Sequence, residues 1–167
     1  GGAQAIGSLA GVAGSSVALG GSTLTLNGVG NTTFAGTIGG AGGLVKNGAG
    51  IQGLTGVNVF TGGVTLNAGG LLLGNDGSLG TGALTVGGNA SLDGTSVLTL
   101  ANTVQLTSGT LTLGGSNALT LNGPISGAGG LLKDGAATVT LGGASTYTGA
   151  TTINSGTLAV AAGGSLS

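Results

Sequence analysis

Short alternating runs of threonine and leucine, each closed by a glycine-rich turn, constrain the fold of this chain more than any other feature. Thr23-Leu24-Thr25-Leu26, Val97-Leu98-Thr99-Leu100 and Thr110-Leu111-Thr112-Leu113 are examples. Alternation with a period of two, with β-branched Thr between apolar residues, indicates half-buried strands. Glycine supplies 43 of the 167 residues, and each glycine would cost a helix roughly 1 kcal/mol relative to alanine. The chain is therefore predicted to be all-β.

The spacing of these strands is compatible with two architectures. They recur about every seven or eight residues, which suits either an antiparallel sandwich or a coil of parallel strands. Small polar turns without long loops, and a core that must be built from Leu, Val, Ile, Ala and Thr, favour the coil. We expect a parallel β-solenoid of roughly six or seven rungs, each rising about 4.8 Å.

A long internal repeat supports the coil. Residues 37–79 align without gaps with residues 124–166, and 20 of the 43 aligned positions are identical. Phe60 aligns with Tyr147, and Lys46 with Lys133. Because the chain opens and closes within repetitive sequence, we expect residues 1–167 to form a single solenoid segment that is a fragment of a longer protein.

The strands often end in Thr-Leu-Asn-Gly, as at Thr25-Leu26-Asn27-Gly28 and Thr120-Leu121-Asn122-Gly123. Asn bonds its own turn and glycine adopts positive φ without steric cost. In a stacked coil, such Asn side chains are also expected to bond the rung above, as amide ladders do in cross-β assemblies.

The amino-acid composition disfavours most kinds of catalytic and ligand-binding site. The chain has no His, Cys, Met, Trp, Arg or Glu, and its charged residues are Lys46, Lys133, Asp76, Asp93 and Asp134. Nucleic-acid binding needs clustered cations, zinc needs Cys or His, and serine nucleophiles need a base. We therefore expect no enzymatic activity, no catalytic residue, no cofactor site and no metal site.

Several motifs have a functional and a structural interpretation, and the structural one is preferred for each. Asp76 and Asp93 lie close enough along a solenoid to form a carboxylate pair, but each precedes glycine as a turn aspartate does. Residues 48–53 fit G-x-G-x-x-G and residues 87–93 resemble a calcium-binding nonapeptide, but glycine abundance produces such matches by accident. The two lysines are expected to protect strand edges or hold the chain soluble. Phe60 and Tyr147 are expected to cap a turn or core corner rather than stack on sugars.

The second repeat carries a family resemblance. It contains Gly130-Leu131-Leu132-Lys133-Asp134-Gly135, the strand Thr138-Val139-Thr140-Leu141, the turn Ser145-Thr146-Tyr147-Thr148-Gly149 and finally residues 151–158, Thr-Thr-Ile-Asn-Ser-Gly-Thr-Leu. This order resembles the autotransporter passenger-associated β-strand repeat. Val45 and Leu132 stand where the pattern has Thr, and Ala137 replaces its second glycine.

The resemblance implies a right-handed parallel β-helix in the exported passenger of a very large bacterial surface protein, one that crosses an outer-membrane translocator barrel. We therefore expect a secreted or cell-surface scaffold that serves adhesion, aggregation or export. Its expected partners are further copies of itself or a host or bacterial surface, and not nucleic acid. Two alternatives remain open: a self-assembling extracellular filament subunit, and an ice-binding β-solenoid that presents ranks of threonine.

Overall fold

The computed structural model describes residues 2–166, whose strands all pair in parallel. The strands in chain order are β1 (Gln4–Ile6), β2 (Ser16–Ala18), β3 (Leu24–Leu26), β4 (Thr32–Phe34), β5 (Thr37–Gly39), β6 (Leu44–Lys46), β7 (Ile51–Leu54), β8 (Val64–Leu66), β9 (Gly69–Leu73), β10 (Leu84–Val86), β11 (Ala90–Gly94), β12 (Leu98–Leu100), β13 (Val104–Leu106), β14 (Thr110–Leu113), β15 (Leu119–Leu121), β16 (Ile125–Gly127), β17 (Gly130–Lys133), β18 (Thr138–Leu141), β19 (Thr151–Ile153) and β20 (Thr157–Val160). The all-β, parallel prediction is confirmed.

These strands form the three faces of a coil. The first face is a seven-stranded sheet with the order β1-β3-β6-β8-β10-β13-β16, and the second is a seven-stranded sheet with the order β4-β7-β9-β11-β14-β17-β19. The third face consists of the pair β2-β5 and the four-stranded sheet β12-β15-β18-β20. Neighbours within a face come from successive turns of the chain, which is the arrangement of a parallel β-solenoid.

Register on the first face fixes the size of a turn. Equivalent positions are Gln4, Leu24, Leu44, Val64, Leu84, Val104, Ile125 and Ser145. The solenoid therefore has about eight turns of 20 or 21 residues, and the expected six or seven rungs were too few. The reason is that most strands are only three residues long and glycine corners keep the connections short. The right-handed sense stays a prediction.

The alternation in the sequence separates inside from outside. In β3, β8 and β10 the outer two residues of the strand are buried and the central Thr is half-buried. Phe60 and Tyr147 are both fully buried, and the Tyr147 hydroxyl lies 2.6 Å from the Thr151 hydroxyl. The core-corner prediction for these two rings is confirmed, and neither ring is available to stack on a sugar.

Side-chain amides join successive turns, which confirms the sequence-based prediction for Asn27 but not for Asn122. Asn47 Nδ2 donates to Asn27 Oδ1 at 3.3 Å, and Asn67 Nδ2 donates to Asn47 Oδ1 at 2.8 Å. These three residues form an asparagine ladder along the corner that follows the first face. A buried amide, Asn58, also spans three turns, because its Oδ1 accepts from the Ile38 N–H and its Nδ2 donates to the Ser78 carbonyl.

The third face is interrupted between β5 and β12. Thr95 N donates to the Leu73 carbonyl where the second face ends, and Leu84 N donates to the Thr103 carbonyl where the first face begins. Between these two bonds, no main-chain hydrogen bond joins residues 74–83 to residues 95–103 within the described chain. We call this gap the seam. Only side chains bridge it, through Asp76 and Asn102.

The two repeat copies lie on different faces of the coil. Leu44 begins β6 on the first face, whereas its counterpart Leu131 lies in β17 on the second. Four register steps above Leu44 the chain reaches Ile125, and Leu131 follows six residues later. The repeat offset is therefore four whole turns plus one face, so the second copy is rotated about the solenoid axis. Separately, no helix among residues 2–166 could cross a membrane.

The asparagine ladder supplies a stability prediction. Asn47→Ala removes both ladder hydrogen bonds, and a net contribution of about 0.5–1.5 kcal/mol per bond should lower the melting temperature by a few degrees. Asn122→Ala is the matched control, because Asn122, like Asn47, stands between the end of a strand and a glycine but makes no side-chain hydrogen bond to a described residue. Circular dichroism melting curves measure both variants, and equal shifts would contradict a stabilising role of the ladder.

Candidate functional site

Both lysines lie in the core, which corrects the expectation that they protect strand edges or keep the chain soluble. Lys46 is 3% exposed and Lys133 is 1% exposed. Lys46 occupies a core column of the first face between Leu26 and Leu66, and Lys133 lies between Leu113 and Ile153 on the second. The four-carbon stem of each lysine thus takes the place of a leucine.

The ammonium groups turn into the corner that follows each strand. Lys46 Nζ donates to the Gly48 carbonyl. Lys133 Nζ donates to the Gly135 carbonyl at 2.7 Å and to the Ser155 carbonyl of the next turn at 3.3 Å. Buried cations need such acceptors to offset lost hydration. The repeat therefore uses its lysine to bind the carbonyls of a tight corner from the inside.

A glycine in the next turn leaves space for this corner. Gly69 and Gly156 are equivalent residues with φ near +70°. A side chain on Gly69 would collide with the Gly48 and Gly50 carbonyls, and one on Gly156 would collide with the Gly135 carbonyl and Lys133 Nζ. Lysine, corner and glycine form one packed unit in each repeat. The spacing of this unit is visible in the aligned repeats, but nothing in the sequence indicated that the lysine is buried.

The two aspartates considered as a carboxylate pair each bond to a main-chain N–H, as turn aspartates do. Asp76 Oδ1 accepts from the Thr99 N–H at 2.7 Å, and Asp93 Oδ1 accepts from the Gly94 N–H at 2.6 Å. Asp76 and Asp134 are exposed and Asp93 is half-buried. Because both lysines are buried, the side-chain charge on the surface of residues 2–166 is entirely negative, which disfavours polyanionic ligands.

The two glycine-rich motifs are parts of the stacked backbone. Residues 48–53 form a corner and the start of β7, and a side chain on Gly48 or Gly50 would collide with the turn below. In residues 87–93, Asn89 Oδ1 accepts from the Thr110 N–H of the next turn at 2.9 Å. No group of three His, Cys, Asp or Glu residues that could hold a metal ion occurs in the described range.

The exposed faces carry a short rank of threonines that the sequence did not reveal. Thr99, Thr120 and Thr140 are in register in successive turns of the third face, and Ala159 follows them. The neighbouring column begins with Val97 and Ala118, and threonine follows them only in the later turns. Within residues 2–166, this face therefore lacks the extended two-column threonine array that the ice-binding alternative requires.

A cleft opens at the seam. Its volume is about 470 Å³, and Asp76, Thr81, Thr99 and Asn102 are among the residues that line it. Asn102 is buried and donates its amide hydrogens to the Gly80 carbonyl at 3.0 Å and the Gly82 carbonyl at 2.7 Å. These bonds and that of Asp76 hold the two sides of the cleft in place.

Comparison with known proteins places both repeats in one family of sequences. Residues 44–73 and 131–160 match the passenger-associated-transport-repeat model. The chain is also 43% identical over 130 residues to the adhesin BmaC autotransporter of Brucella suis biovar 1 (strain 1330). That match covers 72% of this chain but only 4% of the adhesin. No solved structure matches the chain.

Burial lowers the pKa of Lys46 below its ordinary value of 10.5, because desolvation disfavours the ammonium form. Between the folded-state pKa and 10.5 the unfolded chain binds more protons than the folded chain, so stability rises with pH in that window. Below the folded-state pKa, the cost of burying the charge is constant.

We therefore expect the unfolding free energy of the wild type to rise relative to that of Lys46→Met as the pH increases from the folded-state pKa of Lys46 toward 10.5. Denaturant titrations at several pH values measure this difference. All other titrating groups are common to the two proteins, so the difference isolates Lys46. A difference that stays constant or falls with pH would show that the Lys46 ammonium is not penalised by burial.

Proposed function

Because this chain is a repeat protein of the autotransporter-passenger type, we propose that it is a non-catalytic structural segment displayed on a bacterial cell surface. Residues 1–167 would form one continuous stretch of a longer passenger. In this role the coil is a stiff spacer that carries adhesive regions away from the cell and folds outside it. The parent chain would be attached to the membrane by a translocator domain.

The main support for the proposal is the set of residues that the two repeats have in common. Their identical large side chains are mostly buried: Ile38, Leu44, Lys46, Leu54 and their counterparts Ile125, Leu131, Lys133 and Leu141. Several exposed positions differ, as Val57 does from Ala144 and Val59 from Thr146. A repeat selected for recognition would keep its surface residues. This repeat keeps the residues that stack one turn on the next, which supports a scaffold role.

Self-association is the weaker alternative. Ile153 and Val160 are 52% and 43% exposed in the last turns, and few charges oppose contact with a second copy. However, the matched part of the adhesin relative is 4% of that protein, so the same strand edges are also the natural place for further turns of a longer passenger. Host or bacterial surface contacts would then come from other parts of the parent protein or from exposed faces of this one.

Deletion of one complete turn tests the scaffold role in the full-length parent protein. In a variant without residues 104–124, Ile125 takes the register position of Val104, and β17 and β18 replace β14 and β15. The coil shortens by about 4.8 Å with its register intact. Deletion of residues 104–113 is the matched control, because it removes about half a turn and destroys the register.

We expect the whole-turn deletion to keep wild-type surface display, measured with antibodies on intact cells, and wild-type adhesion. The half-turn deletion should lose both, because corner residues then fall where strand residues should pair, and the turns can no longer stack in register. Loss of adhesion with normal display after the whole-turn deletion would instead assign the recognition surface to these residues. Normal display after the half-turn deletion would show that export does not depend on the coil.

A further inference from the structure

The cleft at the seam combines a charged group with several polar atoms that the fold does not use. It exists because two successive turns separate between residues 74–83 and 95–103. Asp76 and Asn102 bridge this separation with one side chain from each turn. Elsewhere the turns are joined by continuous main-chain bonding, so the seam is a local departure from an otherwise regular coil.

The polar atoms that line the cleft are only partly used by the fold. Asp76 uses one carboxylate oxygen for the Thr99 N–H, which leaves the other oxygen as an acceptor. Asn102 uses its amide hydrogens, which leaves Oδ1. The hydroxyls of Thr81, Thr99 and Thr103 make no hydrogen bond to any described residue and line the same cleft. Each hydroxyl can both donate and accept.

We propose that this cleft binds a neutral oligosaccharide. Its volume of about 470 Å³ is in the range of small-ligand sites. Sugar hydroxyls donate strong hydrogen bonds to a carboxylate and pair with amide and hydroxyl groups, while Ala101 and the glycines of the cleft can contact sugar C–H groups. Asp76 and the absence of surface lysines act against sugars that carry carboxylate or sulfate groups.

A peptide strand fits the seam less well. Strand addition requires free main-chain donors and acceptors along an edge, and the Thr99 N–H at the edge of β12 is already bonded to Asp76. A peptide would have to displace this carboxylate and leave it without its donor. A sugar can use the second carboxylate oxygen without breaking the bond.

The test uses the purified chain and four probes: lactose, maltotriose and N,N′-diacetylchitobiose as neutral sugars, and 3′-sialyllactose as the anionic counterpart of lactose. Binding is measured by isothermal titration and by ligand-observed NMR. At least one neutral sugar should bind with a dissociation constant below about 10 mM, and 3′-sialyllactose should bind more weakly than lactose if lactose is that sugar. Failure of all three neutral probes would overturn the proposal.

Two variants locate the binding. Ala101→Phe fills the cleft from an exposed position and should reduce affinity at least about tenfold. Asp76→Asn keeps a carbonyl acceptor for the Thr99 N–H but removes the charge, and should reduce affinity about fivefold. Asp134→Asn is the control, because Asp134 is exposed outside the cleft and bonds Ser155. Circular dichroism establishes that each variant is folded. If Ala101→Phe does not fold, the affinity of Asp76→Asn alone tests the location of the site. Unchanged affinity in the folded cleft variants would overturn the proposal.

Discussion

In-register hydrogen bonding between successive turns is the constraint on which the rest of this structure depends. Main-chain groups of each turn bond to the turns above and below, so equivalent corners come very close together. A side chain on Gly42 would collide with the Ser22 carbonyl, and one on Gly48 with the Gly28 carbonyl. This close approach accounts for much of the glycine content. It also explains why the remaining polar groups, from the asparagine ladder to Asp76, mostly bond to a neighbouring turn.

The same constraint explains which residues the two repeat copies share. Because the second copy is offset by four turns and one face, the repeat does not correspond to one particular face of the solenoid. It corresponds instead to the structure of one corner. The lysine fills a core column with its stem and binds corner carbonyls with its ammonium group, and the glycine of the next turn leaves it room. Because this unit serves the first face in one copy and the second face in the other, the outward residues can vary while the corner is maintained.

Much of the architecture could be predicted from sequence, because alternation and glycine turns are local signals. The strands, their inward leucines, the Asn27–Asn47 contact and the burial of Phe60 and Tyr147 follow from period, turn chemistry and size. The burial of Lys46 was not predictable, since a lysine on a strand is usually exposed and its carbonyl partners depend on the corner geometry. The number of turns was underestimated because strand spacing does not reveal how short a corner is. The seam depends on which residues lie one turn apart, which a sequence without the register does not show.

Distances along one outward column test the coil most directly. The chain has no cysteine, so pairs of spin labels can be attached at introduced cysteines. One label replaces Thr25, and the second replaces Thr85, Gln105 or Ser126, which lie three, four and five turns away. Pulsed dipolar spectroscopy should give backbone separations that rise by about 4.8 Å per turn, to roughly 14, 19 and 24 Å. Separations that do not increase in equal steps, or that grow with the full length of the intervening chain, would contradict the stacked parallel coil.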